Sequence, residues 1–79
     1  MARIIDGTAQ NMVGDKVRKL RKERKMSQQT LSDRLETYAV YICRGSISRL
    51  EDGQRTVTDI ELYGLAQVLG VSIEELFRE

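Results

Sequence analysis

The residues of this chain best suited to chemistry lie in one short polar segment, residues 44–49. Two arginines, Arg44 and Arg49, stand at its ends. A guanidinium group can form paired hydrogen bonds with a guanine edge, or it can hold a phosphate. Between the arginines lie small or polar residues that leave room for such a partner: Gly45, Ser46 and Ser48. The segment therefore predicts binding of a polyanion rather than the making or breaking of bonds.

The groups that catalysis needs are scarce in the sequence. Histidine is absent, and the single cysteine, Cys43, has no base beside it. A thiol nucleophile needs such a base, and a zinc ion needs several His or Cys ligands. There is no glycine-rich phosphate loop either. The sequence predicts no enzyme activity, no catalytic or metal-binding residue, no cofactor and no small-molecule ligand.

Two interpretations of Cys43 stay open. At a helix N-terminus its pKa could be lowered, which would suit a redox switch. The plainer interpretation is a small residue that fills the cap position of a helix. We favour the plainer one because the chain has no second cysteine with which to form a disulfide.

Hydrophobic periodicity predicts five helices and no strand. In the first helix Val13, Val17 and Leu20 recur at helical spacing among charged residues. Ser27 is a favoured N-cap for a second helix over residues 28–36. These two helices are amphipathic, each with one apolar stripe.

A third, short helix is predicted over residues 44–52. Its apolar residues, Ile47 and Leu50, are three apart and face inward, which turns the polar residues of the segment outward. Gly53 is the expected stop, because glycine is favoured just after a helix.

Capping boxes predict the last two helices. Thr58 with Glu61 begins the fourth, which ends at Gly70, and Ser72 with Glu75 begins the fifth. The residues predicted to face inward are Leu62, Leu65, Ala66 and Leu69 in the fourth helix and Ile73, Leu76 and Phe77 in the fifth.

Length and composition predict one small domain. The chain has 79 residues, enough for a single compact core. We expect a loose arm at residues 1–12 and the domain at residues 13–79. One cysteine excludes an internal disulfide, and no apolar run has the length of a signal peptide or a membrane span. We therefore expect a reduced, cytoplasmic protein without membrane contact.

Charge is distributed unevenly along the chain, although the net charge is only +1. Residues 1–25 carry eight Lys or Arg and three acids, whereas residues 56–79 carry one and five. A basic front end suggests a polyanionic partner. The signal is weak by itself, because cations on a helix commonly form only a solvated face.

Three stretches of the chain resemble the Cro/phage-repressor (XRE-type) helix-turn-helix family. They are Ser27-Gln28, the block Ile47-Ser48-Arg49-Leu50-Glu51-Asp52-Gly53, and Leu69-Gly70-Val71-Ser72 followed by Glu75-Leu76-Phe77. Their order and spacing match over residues 13–77. The resemblance implies a compact all-α domain of five helices of the phage-repressor DNA-binding type, with the helix-turn-helix formed by helices 2 and 3.

The resemblance also implies roles for individual residues. Glu51 matches a carboxylate that pairs with an arginine of the first helix, here Arg21, as a structural ion pair. An arm that reaches around the duplex occurs in some members, and Arg3 could serve it. Residues that match positions facing DNA bases or phosphates are Gln28, Gln29, Arg44, Gly45, Ser46, Ser48, Arg49, Gln54, Arg55 and Thr56.

Two features depart from the family pattern. The link between the second and third helices, residues 37–43, is about five residues longer than the usual tight turn. Its tyrosines, Tyr38 and Tyr41, either stack or reach a phosphate, or they pack the loop onto the domain, and we favour packing. The other departure is Cys43, which stands where a capping Ser or Thr is typical.

These patterns lead to two hypotheses of different classes. The favoured one is a transcriptional regulator, repressor-like, that binds double-stranded operator DNA through the helix at 44–52, as a homodimer. The alternative is a protein-interaction or antitoxin-like module that docks a partner through its acidic end or its aromatic loop. The polar face of residues 44–49 favours DNA, because a docking surface would carry exposed apolar anchors there.

Overall fold

The structure, a computed structural model, describes residues 9–78. Over that range the chain forms five helices and no strand: α1 (Gly14–Glu23), α2 (Gln28–Glu36), α3 (Arg44–Glu51), α4 (Asp59–Leu69) and α5 (Ile73–Leu76). The predicted all-α, five-helix class is confirmed. None of the helices in the described range is long and apolar enough to cross a membrane.

Side-chain caps begin α2 and α4 as predicted. The Ser27 hydroxyl accepts a hydrogen bond from the backbone N–H of Thr30 at 2.9 Å. At α4 the capping box is complete: Thr58 accepts from the N–H of Glu61, and the Glu61 carboxylate accepts from the N–H of Thr58. Each cap satisfies backbone donors that a helix start would leave unpaired.

The second predicted capping box, at α5, is only half formed. The Ser72 hydroxyl accepts from the N–H of Glu75 at 3.2 Å. The Glu75 carboxylate forms an ion pair with Lys16 of α1, at 2.9 Å. The reciprocal contact that we expected is therefore wrong, because a cation on a neighbouring helix binds the carboxylate.

Burial of α5 also differs from its prediction. Leu76 is fully buried, but Ile73 and Phe77 are 43% and 44% exposed. A helix of one turn can present only one face to the core. The side chains on its other faces are left in contact with solvent.

Helices α1 to α4 share one kind of ending. Each is followed by a residue with positive φ, and the next N–H donates to the carbonyl five residues earlier. This is the Schellman pattern. Gly53 and Gly70 were the predicted stops, whereas Lys25 and Ala39, with φ of 56° and 59°, adopt the same left-handed conformation without being glycine.

The core forms around α3, which packs against both α1 and α2. Ile47 and Leu50 of α3 are completely buried, as predicted. Helix α4 packs against α1, α2 and α5 and closes the other side. The other fully buried apolar side chains are Val13, Val17, Leu31, Leu35, Leu65, Leu69 and Leu76.

The long connection between α2 and α3 is seated firmly on the domain. Val40 and Ile42 are 3% and 4% exposed, and the Ser32 hydroxyl donates to the carbonyl of Ile42 at 2.7 Å. A Cβ on Gly64 of α4 would lie 2.7 Å from a methyl of Val40. Glycine at that position therefore lets the loop approach α4.

The two tyrosines of this loop behave differently. Tyr38 meets Tyr63 of α4 edge to face, with ring centroids 6.5 Å apart. Tyr41 is 76% exposed. The expectation that both rings pack the loop onto the domain is therefore wrong for Tyr41.

A close approach of α1 and α3 requires glycine at residue 14. A Cβ on Gly14 would overlap the carbonyl oxygen of Leu50 and come within 2.9 Å of the carbonyl oxygen of Glu51. Both atoms belong to the backbone and cannot rotate away. Gly14 thus sets the distance between α1 and the end of α3.

We predict opposite effects for two glycine substitutions. Gly14→Ala should lower the free energy of unfolding by about 1–3 kcal/mol, because α1 and α3 must separate. Gly45→Ala, in α3 with nothing within 4 Å of its Cβ, should raise it by up to about 1 kcal/mol through helix propensity. Urea denaturation followed by circular dichroism measures both. Equal effects of the two substitutions would contradict the close approach at Gly14.

Candidate nucleic-acid interface

The two faces of α3 differ sharply in polarity. Ile47 and Leu50 are buried on the inner face, and Glu51 lies beside them with only 1% exposure. On the outer face Arg44, Gly45 and Arg49 are exposed, and Ser46 and Ser48 are partly exposed. The outer face is therefore polar, basic and free of large apolar groups.

The two α3 arginines are not neutralised within residues 9–78. The guanidinium group of Arg44 has no hydrogen bond or ion pair there, and that of Arg49 donates only to the Ser46 hydroxyl, at 3.4 Å. Two cations of α1, by contrast, form ion pairs: Lys16 with Glu75, and Arg18 with the carboxylates of Asp52 and Glu51. Much of the basic character of α1 is thus compensated internally, while that of α3 faces solvent.

A buried carboxylate fixes the end of α3 to its neighbours. Arg21 of α1 binds Glu51 through two hydrogen bonds, Nε to Oε2 at 2.6 Å and Nη2 to Oε1 at 3.0 Å. Gln28, the first residue of α2, donates to Oε1 at 3.1 Å. Arg21 also donates to the carbonyl of Met26 at 2.9 Å. One carboxylate therefore connects α1, α2 and α3.

The environment of Glu51 favours its charged form. Burial raises the pKa of Glu51, but the hydrogen bonds from Arg21, Gln28 and Arg18 and the charge of Arg21 outweigh it, so that the pKa lies below its ordinary value. The carboxylate is therefore ionised at neutral pH. In that form it is a satisfied acceptor rather than an isolated buried charge.

Asn11 fixes the loop that follows α3. Its side-chain N–H groups donate to the carbonyls of Leu50 and Arg55, at 3.0 and 2.8 Å. Its side-chain oxygen accepts from the N–H groups of Val13 and Gly14 and so begins α1. A single amide thereby ties the start of α1 to both ends of the turn after α3.

A groove runs beside the start of α3. Its walls come from α2, from the long loop and from α3, and they include Gln29, Ser32, Glu36, Tyr41, Arg44 and Ser46. Arg55, from the loop after α3, also lines it. The structure thus brings together residues that are predicted to bind DNA from three separate stretches of chain.

A scan of family models gives the decisive comparison. The model described as helix-turn-helix matches residues 17–76, which is most of the chain. The chain belongs to the helix-turn-helix family of DNA-binding regulators, of the XRE type. Helices α2 and α3 form the motif, as the sequence predicted.

Solved structures agree with this assignment. The restriction-modification controller protein C.AhdI from Aeromonas hydrophila is 30% identical, with a TM-score of 0.73 over 84% of this chain and 92% of that one. The DNA-binding domain of BldD is 25% identical, with a TM-score of 0.70 over 92% and 97%. No protein of curated function matches the chain in sequence.

A third structure shows the same fold at lower identity. It is the P22 c2 repressor protein, in complex with a synthetic operator, at 22% identity and a TM-score of 0.72. The match covers 85% of this chain and 94% of the repressor chain. At that identity it supports the helix-turn-helix fold only.

Two of the residues predicted to contact DNA instead bind carboxylates of the protein itself. Gln28 is half-buried and donates to Glu51. Arg55 binds the Glu61 carboxylate through both terminal nitrogens, at 3.3 and 3.0 Å. Gln29, Gln54 and Thr56 are exposed.

The start of α3 lacks an ordinary cap. Cys43 is exposed, and its sulfur lies 3.4 Å from the Ser46 hydroxyl without forming a side-chain cap. The hydrogen bond with the Ser46 side chain, together with the backbone N–H groups of Ser46 and Gly45, lowers the pKa of Cys43 below its ordinary value.

Sequence reasoning missed three residues that shape this site. Arg18, one of the cations of the basic front end, binds Asp52 and Glu51. Asn11 was included in a loose arm, although an Asn just ahead of a helix is a known capping signal. Tyr41 was expected to pack on the domain and is exposed. Residues 1–8 with Arg3, the rest of the predicted arm, lie outside the described residues.

We predict that Glu51→Gln weakens the fold in a pH-dependent way. At pH 7 the variant should be less stable by about 2–4 kcal/mol, because Arg21 stays buried without a carboxylate. A depressed folded-state pKa means that Glu51 contributes stability above its unfolded pKa of about 4.3. That contribution is lost as pH falls through the lower folded-state pKa.

Urea denaturation of wild type and variant from pH 7 to pH 3 measures this effect. The difference in free energy of unfolding should shrink as the pH falls below about 4.3. Glu74→Gln, an exposed carboxylate of α5, is the matched control and should change stability little. A Glu51→Gln penalty that is constant over the whole range would show that the charge of Glu51 contributes nothing.

Proposed function

We propose that this helix-turn-helix protein is a transcriptional regulator that binds a specific operator with the outer face of α3. The observation that carries the proposal is the pair of uncompensated arginines, Arg44 and Arg49, on a helix whose inner face is fixed by buried contacts. Free guanidinium groups on a rigidly placed helix suit the major groove, whose base edges present guanine acceptors.

The surrounding contacts support this assignment of faces. Gly45 leaves open space above the backbone between Arg44 and Ser46, so that a nucleotide can approach closely. Exposed cations on α1, Lys19 and Lys22, add attraction to DNA that does not depend on sequence. Gln54 and Thr56, in the loop that Asn11 holds in place, are suited to phosphate contacts.

The proposal includes a homodimer on a two-fold symmetric operator. A single module of this kind offers a small contact area, so specific binding commonly uses two half-sites one helical turn apart. Apolar side chains are exposed on α4, on α5 and at the residue just after α5: Ile60, Tyr63, Ile73 and Phe77. They provide surface for self-association without competing with DNA.

The alternative, a protein-docking module without DNA binding, finds less support. The large exposed apolar residues of the described helices lie on α4 and α5, at the acidic end through which such a module would dock. Docking there would leave the unpaired arginines of α3 without a role. We place the protein in the cytoplasm with its DNA and assign it no catalytic step. Among the described residues no group of His, Cys, Asp and Glu could hold a metal ion.

We predict that the α3 arginines determine operator preference. An operator is first selected from a random duplex pool, and binding is then measured by fluorescence anisotropy with non-specific competitor. Arg44→Ala and Arg49→Ala should each weaken operator binding by about 1–3 kcal/mol and relax the preference at one base pair. Wild-type behaviour of both variants would contradict the placement of α3 in the groove.

Two control variants separate base contacts from general attraction. Lys19→Ala should weaken binding to every duplex alike and reduce the dependence of binding on salt. Arg78→Ala removes an exposed arginine beyond α5 and should leave operator preference unchanged. If wild-type protein shows no preference for any selected duplex, the proposed function itself is wrong.

A further inference from the structure

We propose that Tyr41 belongs to the DNA-binding surface and donates a hydrogen bond from its phenolic hydroxyl to a phosphate of the operator. The proposal rests on the proposed function and extends its surface to the loop before α3. Tyr41 is 76% exposed, and its hydroxyl has no hydrogen-bond partner among residues 9–78. Tyrosine combines an apolar ring with a polar tip, which is why it is enriched at interfaces.

The backbone holds Tyr41 in this outward position. Its neighbours in the chain, Val40 and Ile42, are buried, and the carbonyl of Ile42 accepts a hydrogen bond from Ser32. Burial of residues 40 and 42 therefore directs Tyr41 to solvent, and little backbone entropy remains to be lost when it meets a partner.

The position of Tyr41 is continuous with the α3 surface. It lines the same groove as Arg44, Ser46 and Gln29, and it precedes Arg44 by only three residues. Arg44 carries a charge that no described carboxylate neutralises. A duplex that contacts the start of α3 thus passes directly beside the tyrosine ring.

The charges around the groove favour a phosphate contact at the hydroxyl. Glu36 lines the same groove, and its carboxylate repels a phosphate that approaches it. The exposed hydroxyl of Tyr41 is an uncharged donor, and the cation of Arg44 lines the same groove. Tyrosine hydroxyls are among the side-chain donors that bind DNA phosphates and so fix the register of a protein on the duplex.

The test compares Tyr41→Phe with Tyr38→Phe on the selected operator. Tyr41→Phe should weaken operator binding about three- to tenfold, the effect of one lost hydrogen bond. The base preferences and the salt dependence should stay as in wild type, because the lost donor is uncharged and contacts no base. Tyr38→Phe removes the hydroxyl of the other tyrosine of this loop, keeps the ring that packs on Tyr63, and should bind like wild type.

A second measurement identifies the phosphate. The operator is modified with a neutral methylphosphonate at one phosphate position at a time. At one position in each half-site, the modification should weaken binding of wild type, whereas Tyr41→Phe should bind the modified and the unmodified operator equally well. Such non-additivity shows that the hydroxyl and that phosphate contact each other.

The outcomes separate this proposal from the proposed function. Wild-type affinity of Tyr41→Phe on a preferred operator would overturn the role of Tyr41 and leave the operator-binding function standing. A changed base preference in Tyr41→Phe would overturn the phosphate contact. Absence of any operator preference in wild type would overturn both.

Discussion

The arrangement of this protein depends on the buried carboxylate of Glu51. It sits at the end of α3, accepts hydrogen bonds from α1 and α2, and is only 1% exposed. Removing a carboxylate from water is costly, and the paired hydrogen bonds of Arg21 offset that cost only in one geometry. The contact therefore does more than stabilise. It fixes the rotation of α3, which decides which of its side chains face solvent.

Contacts of the backbone also fix the position of α3. A helix of eight residues is not stable alone, so α3 takes its conformation from its neighbours. Gly14 allows α1 to approach the carbonyls of Leu50 and Glu51, and Asn11 holds the turn after α3. The polar face of α3 is consequently a rigid surface, and an arginine displayed on it is already oriented for a partner.

Much of this architecture could be predicted from the sequence. Apolar spacing located the four longer helices, and Ser27, Thr58 and Gly70 marked helix ends because their chemistry suits those positions. The Arg21–Glu51 pair was expected only through the family resemblance, and the structure contains it. Spacing alone could not have supplied it, since the two residues are thirty positions apart in the chain.

Other features depend on tertiary contacts that no local pattern carries. Lys25 and Ala39 adopt left-handed conformations without the glycine that would indicate them. The Glu75 carboxylate binds Lys16 rather than the backbone N–H at the start of its own helix. The single turn of α5 leaves Phe77 exposed. The packing of the long loop could not be predicted for the same reason, because Val40 of the loop contacts Gly64 of α4 only in the folded chain.

Helix α3 and its flanking loops, rather than α4 and α5, form the proposed DNA-binding surface. The most direct test is a titration of ¹⁵N-labelled protein with its selected operator duplex, followed by amide chemical shifts. We expect the largest changes at residues 41–49 and 54–56. The amides around Ile60 and Tyr63 should change only as much as self-association alone changes them. The largest DNA-dependent changes on α4 and α5, with α3 unaffected, would contradict this assignment of the surface.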